Sequence, residues 1–421
     1  MRSLYTIGLY LLAPFVVFRL WWRGRKNPDY RKRIPERFGF FSHLPEKKRI
    51  WLHAVSVGET IAAAPLIKKL LAEYPEYSLL VTTTTPTGSA QLKRLFAEQV
   101  EHVYFPYDLP DVIHRFFHRV RPDILIVMET ELWPTLYSQC AQQKIPVLVA
   151  NARLSSRSLA GYKKIAGLTR SVLGNISIIA PQSKADAERF QQLGAGKKQI
   201  HICGNIKFDL QIPVEAKETG EAIKRKFGNR PVWVAASTHE GEDAQILSAH
   251  RNVLEPLSDA LLILVPRHPE RFDEVAKLCR EKHFSFTRRS RDNYPDAKTQ
   301  VYLADTMGEL LQLYAATDVA FVAGSLVPTG GHNPLEPAAL GVPVLTGPNV
   351  FNFAEIVDAM QTEDAIKVIQ NSRELAKTVS QLLQQPEARS VLGEAGRQLV
   401  EKNRGATDCL LQEISSLLKD S

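Results

Sequence analysis

One stretch gathers more site-forming residue types than any other: FVAGSLVPTGGHNPLEPAALGVPVL, from Phe321 to Leu345. An apolar run ends in a loop containing Gly324, Gly330 and Gly331, where the missing Cβ lets backbone N–H groups turn toward an anion. A helix expected to begin near Leu335 would add its positive end. Glu336, in its first turn, could accept two hydrogen bonds from a vicinal diol such as a ribose. Glycines, helix start and acid in that order describe a nucleotide site, against the plainer reading of a capped helix after a loop. Two more loops suit the same pocket: PRHPER, where Arg267 could pair with a phosphate, and the turn after VYLAD, where Gly308 precedes another helix start. Taken alone, Arg267 is better explained by a surface salt bridge, and His239, His268 and His332 read as loop hydrogen-bonders rather than metal ligands.

In the first half of the chain the chemistry is carboxylate. Glu59 follows Gly58 in a strand-to-helix loop, a position that projects into the crevice at the end of an open sheet, and it is the best candidate base there. The field of the helix N-terminus is expected to keep it ionised, at some loss of basicity. A first-turn helix acid with no further role is the competing reading. Glu129 and Glu131 close another apolar run, DILIVM.

These residues need parallel sheets to carry them. RIWLHAV (from Arg49), Leu79 to Thr83, Val103 to Phe105, Ile124 to Val127, Val147 to Ala150 and Ile178 to Ala180 read as buried strands with helical stretches between, the first helix running from Ile61 to Leu71. That is an α/β, doubly wound sheet whose ligands bind at the carboxyl ends of its strands. A polar, proline-bounded seam from Asn205 to Pro231 reads as a linker into a second sheet. Its strands are expected at Val232 to Ala236, Leu261 to Val265, Val301 to Leu303, Val319 to Ala323 and Val342 to Leu345, with helices from about Arg373 to Leu418.

At 421 residues and 44% hydrophobic content the chain is long and apolar enough for two cores. The net charge of +8 raises nucleic acid as a partner. The cations, however, concentrate between Arg19 and Arg37, beside the most apolar segment, which points to a membrane surface instead. That segment, Leu4 to Trp22, approaches the roughly 20 residues that span a bilayer. Trp21 and Trp22 would lie at the interface beside Arg19, Arg23, Arg25 and Lys26, and charge on this flank places the body of the protein in the cytoplasm. An uncleaved spanning anchor is the first reading and a helix lying in the membrane surface its competitor. Arg31, Lys32, Arg33 and Arg37 follow, either as a cradle for an anionic lipid headgroup or as a polybasic helper to the anchor. Four scattered cysteines, Cys140, Cys203, Cys279 and Cys409, suggest neither a zinc site nor a disulfide, and a reducing compartment.

HAVSVGE (His53 to Glu59), METELWP (Met128 to Pro134), NARLS, GNIKFD (Gly204 to Asp209), PRHPER, DTMGEL and GGHNPLEP occur in order across nearly the whole chain. In these motifs the sequence resembles the 3-deoxy-D-manno-octulosonic acid (Kdo) transferases of lipopolysaccharide synthesis. The resemblance implies a GT-B glycosyltransferase with two Rossmann-like domains facing a cleft. An anchor over residues 1–26 would be followed by an acceptor domain over 27–210 and a donor domain over 211–421, with the last helices able to pack back on the acceptor domain. It implies CMP-Kdo as donor, the tetraacylated lipid A precursor as acceptor, the inner membrane as location, and no metal or other cofactor. Carried over by position, Glu59 matches the family's proton acceptor, and Glu129 and Lys207 match residues assigned to transition-state support. Pro266, Arg267, Met307, Gly308, Glu309, Asn333, Pro334, Leu335 and Glu336 match its CMP-binding motifs. A GT-B-like nucleotide-sugar epimerase and a non-catalytic membrane scaffold that binds nucleotide are the alternatives; the apolar segment argues against the first, and the second predicts no turnover.

Overall fold

The structure, a computed structural model, describes residues 2–25, 27–291 and 294–419. Lys26, counted above in the basic flank, lies outside them. The chain divides into two compact units, Met1–Asp209 with Asn403–Ser421, and Leu210–Lys402.

The first unit is built on six parallel strands: β1 (Arg49–His53), β2 (Ser78–Thr83), β3 (Glu101–Tyr104), β4 (Ile124–Met128), β5 (Val147–Ala152) and β6 (Ile178–Pro181). Their order is β3-β2-β1-β4-β5-β6, with Leu52 in register with Val81 on one side and Ile126 on the other. Strands buried on both faces are mostly apolar, which is why β4 reads as an unbroken hydrophobic run and β1 as Ile50, Trp51 and Leu52 between the buried Arg49 and His53. Successive side chains then feed opposite layers. Trp51, Leu125 and Val127 enter one core with Phe116 and Tyr137, while Ile50, Leu52, Ile124 and Ile126 enter the other with Leu66 and Ile67. The last helix, Ala406–Lys419, completes that second layer with Leu410 and Ile414.

The second unit has seven parallel strands: β7 (Val232–Thr238), β8 (Leu261–Pro266), β9 (Phe286–Arg288), β10 (Val301–Leu303), β11 (Val319–Val322), β12 (Val344–Thr346) and β13 (Lys367–Val368), in the order β13-β12-β11-β7-β8-β10-β9. Two of these, β9 and β13, are edge strands that the sequence reading does not contain. They are three and two residues long and carry Thr287, Arg288 and Lys367, so no apolar run marks them.

Three expectations change. The stretch taken as a linker holds a helix, Val214–Phe227, whose Ala216, Ile223 and Phe227 are buried. Cys203 is disulfide-bonded to Cys409, pinning the last helix to the segment before Lys207. Sequence separation hid this pair, because only the folded chain brings positions 206 residues apart together. The basic segment, finally, is divided: Arg33 and Arg37 are committed within the protein, whereas Arg31 and Lys32 are exposed. Arg37 is buried and donates to the Thr84 carbonyl at 2.9 Å, and Arg33 pairs with Glu36 at 2.6 Å. Lys32 pairs with Asp29, and Arg31 donates to the Trp21 carbonyl.

Candidate active site

In an open α/β sheet, side chains converge where neighbouring strands lead their connections in opposite directions. In the first unit that point lies between β1 and β4, and the loops leaving it carry Glu59 and Glu129. Ser56 caps the helix Val57–Glu73 by accepting from the Glu59 N–H, and the Glu59 carboxylate reaches back to accept from the Ser56 hydroxyl at 3.1 Å and the Val55 N–H at 2.7 Å. This is a capping arrangement, so the plain structural reading of Glu59 is realised. It uses two of roughly four lone-pair sites on the carboxylate, leaving acceptor capacity for a substrate hydroxyl. Burial pushes the Glu59 pKa up to about 7, the Val55 N–H opposes this, and the negative charges of Glu129 and Glu131 add to the rise. The expectation of a helix field holding this group ionised is therefore corrected. Desolvation outweighs the hydrogen bonds from Val55 and Ser56 that favour the carboxylate, and the result is a stronger base.

Glu129 adopts a left-handed backbone, φ 59°, at the end of β4, and Asn151 does the same, φ 54°, at the end of β5. Such angles in non-glycine residues cost on the order of 1–3 kcal/mol and persist where the surroundings impose them, often at functional sites. Arg153 approaches the Glu129 carboxylate at 3.4 Å. Buried Asn151 accepts from the Ile206 N–H at 3.1 Å, which holds the turn Ile206–Phe208, and with it Lys207, at the same carboxyl edge. Glu59, Glu129 and Lys207 are thus brought to one edge of one sheet.

In the second unit the corresponding point lies between β7 and β11. The amides of the glycine-bearing loop, expected to face an external anion, already have one from within the protein. The fully buried Glu242 carboxylate accepts from the N–H groups of His239, Gly324, Ser325 and Leu326, at 3.1, 2.6, 2.9 and 2.8 Å. Gly331 in turn donates to the Gly324 carbonyl. Gly330 is required for a different reason: its φ is 99°, and a Cβ there would meet Asn352 and Phe351 at 2.3 and 2.5 Å. Glycine thus serves close packing of this loop.

Around that core sit the other residues expected to bind a nucleotide. Pro266 ends β8, and Arg267 is exposed beyond it. Arg271 bonds the Thr238 carbonyl and the Asp243 carboxylate, joining the loops after β7 and β8. Glu309 is held by Arg289 at 2.9 Å and by Thr306. Met307 is exposed, and Gly308 has φ 88°. Asn333 accepts from the Leu335 N–H and donates to Glu336 at 3.3 Å, while Pro334 and Leu335 are buried. Burial raises the Glu336 pKa, and Asn333 and the charge of Arg267 oppose the rise. The His239 ring lies 5.4 Å from His268 of the β8 loop and 5.1 Å from His332 of the β11 loop, which brings the two loops together. His239 and His332 share a hydrogen bond at 2.8 Å, and burial lowers the pKa of both, His332 to about 4. They are neutral, and one ring N–H donates to the other. Among the described residues no cluster of three or more His, Cys, Asp or Glu could hold a metal ion.

Residues 32–210 match the family model described as 3-deoxy-D-manno-octulosonic-acid transferase (kdotransferase), and residues 283–399 match glycosyl transferases group 1. A 3-deoxy-D-manno-octulosonic acid transferase of Haemophilus influenzae is 44% identical over 422 residues, covering 99% of this chain and 98% of the relative. That of Bordetella pertussis is 35% identical, with 99% of both chains covered. The chain belongs to the Kdo transferase family. It is accordingly a glycosyltransferase. A UDP-GlcNAc 2-epimerase from Neisseria meningitidis bound to UDP-GlcNAc has TM-score 0.59 at 15% identity, covering 87% of this chain and 100% of that one, and marks the fold as GT-B-like.

The site of this Kdo transferase contains residues that sequence reasoning passed over. Glu242 and Asp243 stand in STHEGED directly after the central strand β7, and Ser237 in the same run has φ 61°. Acids just beyond an all-buried strand were the available signal. Asn151 lay inside a quoted motif without a role, and only its backbone angle and its bond to the Ile206 N–H supply one.

Proposed function

We propose that this enzyme transfers Kdo from CMP-Kdo to the tetraacyldisaccharide 1,4'-bisphosphate precursor of lipid A, with inversion and with Glu59 as general base. The observation that carries the reading is the Glu59 carboxylate, fixed at the switch point of the first sheet with its pKa raised to about 7, where it can both hold and release a proton at neutral pH. Glu59 takes the proton of an acceptor hydroxyl while that oxygen bonds the anomeric carbon of Kdo. The bond from that carbon to the phosphate oxygen breaks, CMP departs with the electron pair, and a single displacement inverts the centre. Arg267 offsets charge on the departing phosphate, with Met307 to Glu309 and Asn333 to Glu336 holding the nucleotide, and Glu336 the ribose. Glu129 and Lys207 support the charge that develops in transfer. The reading requires neither a metal nor another cofactor. It places the enzyme on the cytoplasmic face of the inner membrane, attached through its first helix, Arg2–Arg23, which is apolar enough to enter a bilayer.

The test mixes purified enzyme, CMP-Kdo and the lipid precursor in detergent. CMP release together with a lipid heavier by one or more Kdo residues is the expected result. CMP release without a heavier lipid, or no turnover across detergents, overturns the reading.

A further inference from the structure

The helix Arg2–Arg23 carries two stripes. Leu4, Ile7, Leu11, Phe15, Phe18 and Trp22, spaced three and four apart along one face, are all more than half exposed. On the opposite face Tyr5, Leu9, Ala13 and Val16 are half-buried and Leu20 is buried, and Gly24, just past the helix, is buried beside the Arg31 side chain. This less exposed stripe runs along the helix, and the tyrosine bonds near the helix start tie it to the first unit instead of leaving it to project. Both ends are fastened. Near the start, the Tyr5 hydroxyl donates to Asp108 at 2.9 Å and the Tyr10 hydroxyl to Asp111 at 2.5 Å. Asp108 is itself buried and accepts from the Thr135 and Leu136 N–H groups. At the other end Leu20 is only 8% exposed, and Arg31 donates to the Trp21 carbonyl at 3.1 Å.

These contacts oppose a span. From Tyr5 to Trp22 the helix rises roughly 25 Å, nearly the full hydrocarbon thickness of about 30 Å. A spanning helix would carry Tyr5 to the far interface, breaking both tyrosine bonds and stripping the half-buried stripe. We propose that this helix lies in the plane of an anionic lipid surface, its Leu4-to-Trp22 stripe sunk among the acyl chains while the Tyr5-to-Gly24 stripe stays on the protein. Charge selects the occupant. The helix has no acid in its first turn, Arg19, Arg23 and Arg25 are exposed at its end, and the Arg25 and Arg31 guanidinium groups stack over Trp22 and Trp21 at 4.2 and 4.8 Å. Apolar face, interfacial tryptophans and a band of arginine are the composition of an interfacial helix on anionic headgroups. A second copy of the chain would match the apolar stripe but would be repelled by the arginines.

The inference rests on the membrane reading above and is read without transfer activity. With Ser3→Cys in the full chain, a membrane-impermeant maleimide is expected to label inverted membrane vesicles and to leave intact spheroplasts unlabelled; labelling of intact spheroplasts would mean a span and overturn it. With purified protein, sedimentation with phosphatidylglycerol-containing vesicles should exceed that with phosphatidylcholine alone. Leu11→Asp with Phe15→Asp should lower the bound fraction at least about tenfold. A stable lipid-free dimer that these aspartates dissociate, with vesicle binding unchanged, would assign the stripe to a second copy instead. Loss of vesicle preference with CMP release intact would sink this inference and leave the proposed function standing.

Discussion

Burial sets the Glu59 carboxylate apart from an ordinary surface acid, and the role of base proposed for it rests on those surroundings. Burial lifts its pKa to about 7, and Glu129 adds to that lift through space. Only the deprotonated form accepts a proton, so the transfer rate should rise with pH through about 7 and then level off. Glu129→Gln removes one of the raising charges, so alongside any loss of rate the midpoint should move to lower pH; an unchanged midpoint would show that the two carboxylates do not interact. Glu59 also caps its helix, which makes Glu59→Ala an ambiguous test. Glu59→Gln keeps an acceptor for the Val55 N–H and removes the proposed base. Its transfer rate should fall by roughly 10²- to 10⁴-fold while CMP affinity, measured by calorimetry, changes little. Retention of a substantial part of the rate would remove Glu59 from the role.

At the scale of elements, Glu242 fixes the shape of the loop after β11. One buried carboxylate satisfies four backbone N–H groups from the loops after β7 and β11. Glu242→Ala would strand those donors in the interior, costing roughly 3 kcal/mol or more and weakening CMP binding as the loop loses its shape. The measurements are the urea midpoint and the CMP dissociation constant; a variant with normal stability and normal affinity would show that the loop is held otherwise. This residue also shows where the sequence stopped being readable. Both sheets were legible because their central parallel strands carry apolar runs, and the carboxyl-end position of Glu59 and Glu129 followed from strand-loop-helix order alone. The partner of an amide nest was not legible, because glycines announce only that backbone can approach something, and here that something is Glu242, 82 residues earlier for Gly324. The edge strands β9 and β13 escaped because backbone pairing, not side-chain pattern, defines them. The helix Val214–Phe227 escaped because its charged face reads like a linker.

Across the whole molecule, the chain leaves the first unit after Asp209 and returns at Asn403, and its two ends there are fastened to each other. The Asp209 carboxylate accepts from the Gly405 N–H at 2.7 Å and from the Thr407 N–H, and the Cys203–Cys409 disulfide joins the same two segments. Between them they dock the helix Ala406–Lys419, which supplies Leu410 and Ile414 to the core beneath β1 and β4, and they hold the segment that carries Lys207. A disulfide closing so long a loop contributes roughly 2–5 kcal/mol by restricting the unfolded chain. Reduction alone should therefore lower the urea midpoint and leave the helix in place, because the Asp209 bonds and the apolar contacts remain. Asp209→Ala in the reduced protein removes the second fastening as well. Cleavage near Gly405 by a trace of protease should then rise sharply, with faster amide exchange along 406–419 and weaker transfer as Lys207 loses its support. If the oxidised wild type and the reduced Asp209→Ala protein exchange at the same rate along that helix, apolar packing alone holds it, and the two fastenings serve only the turn around Lys207.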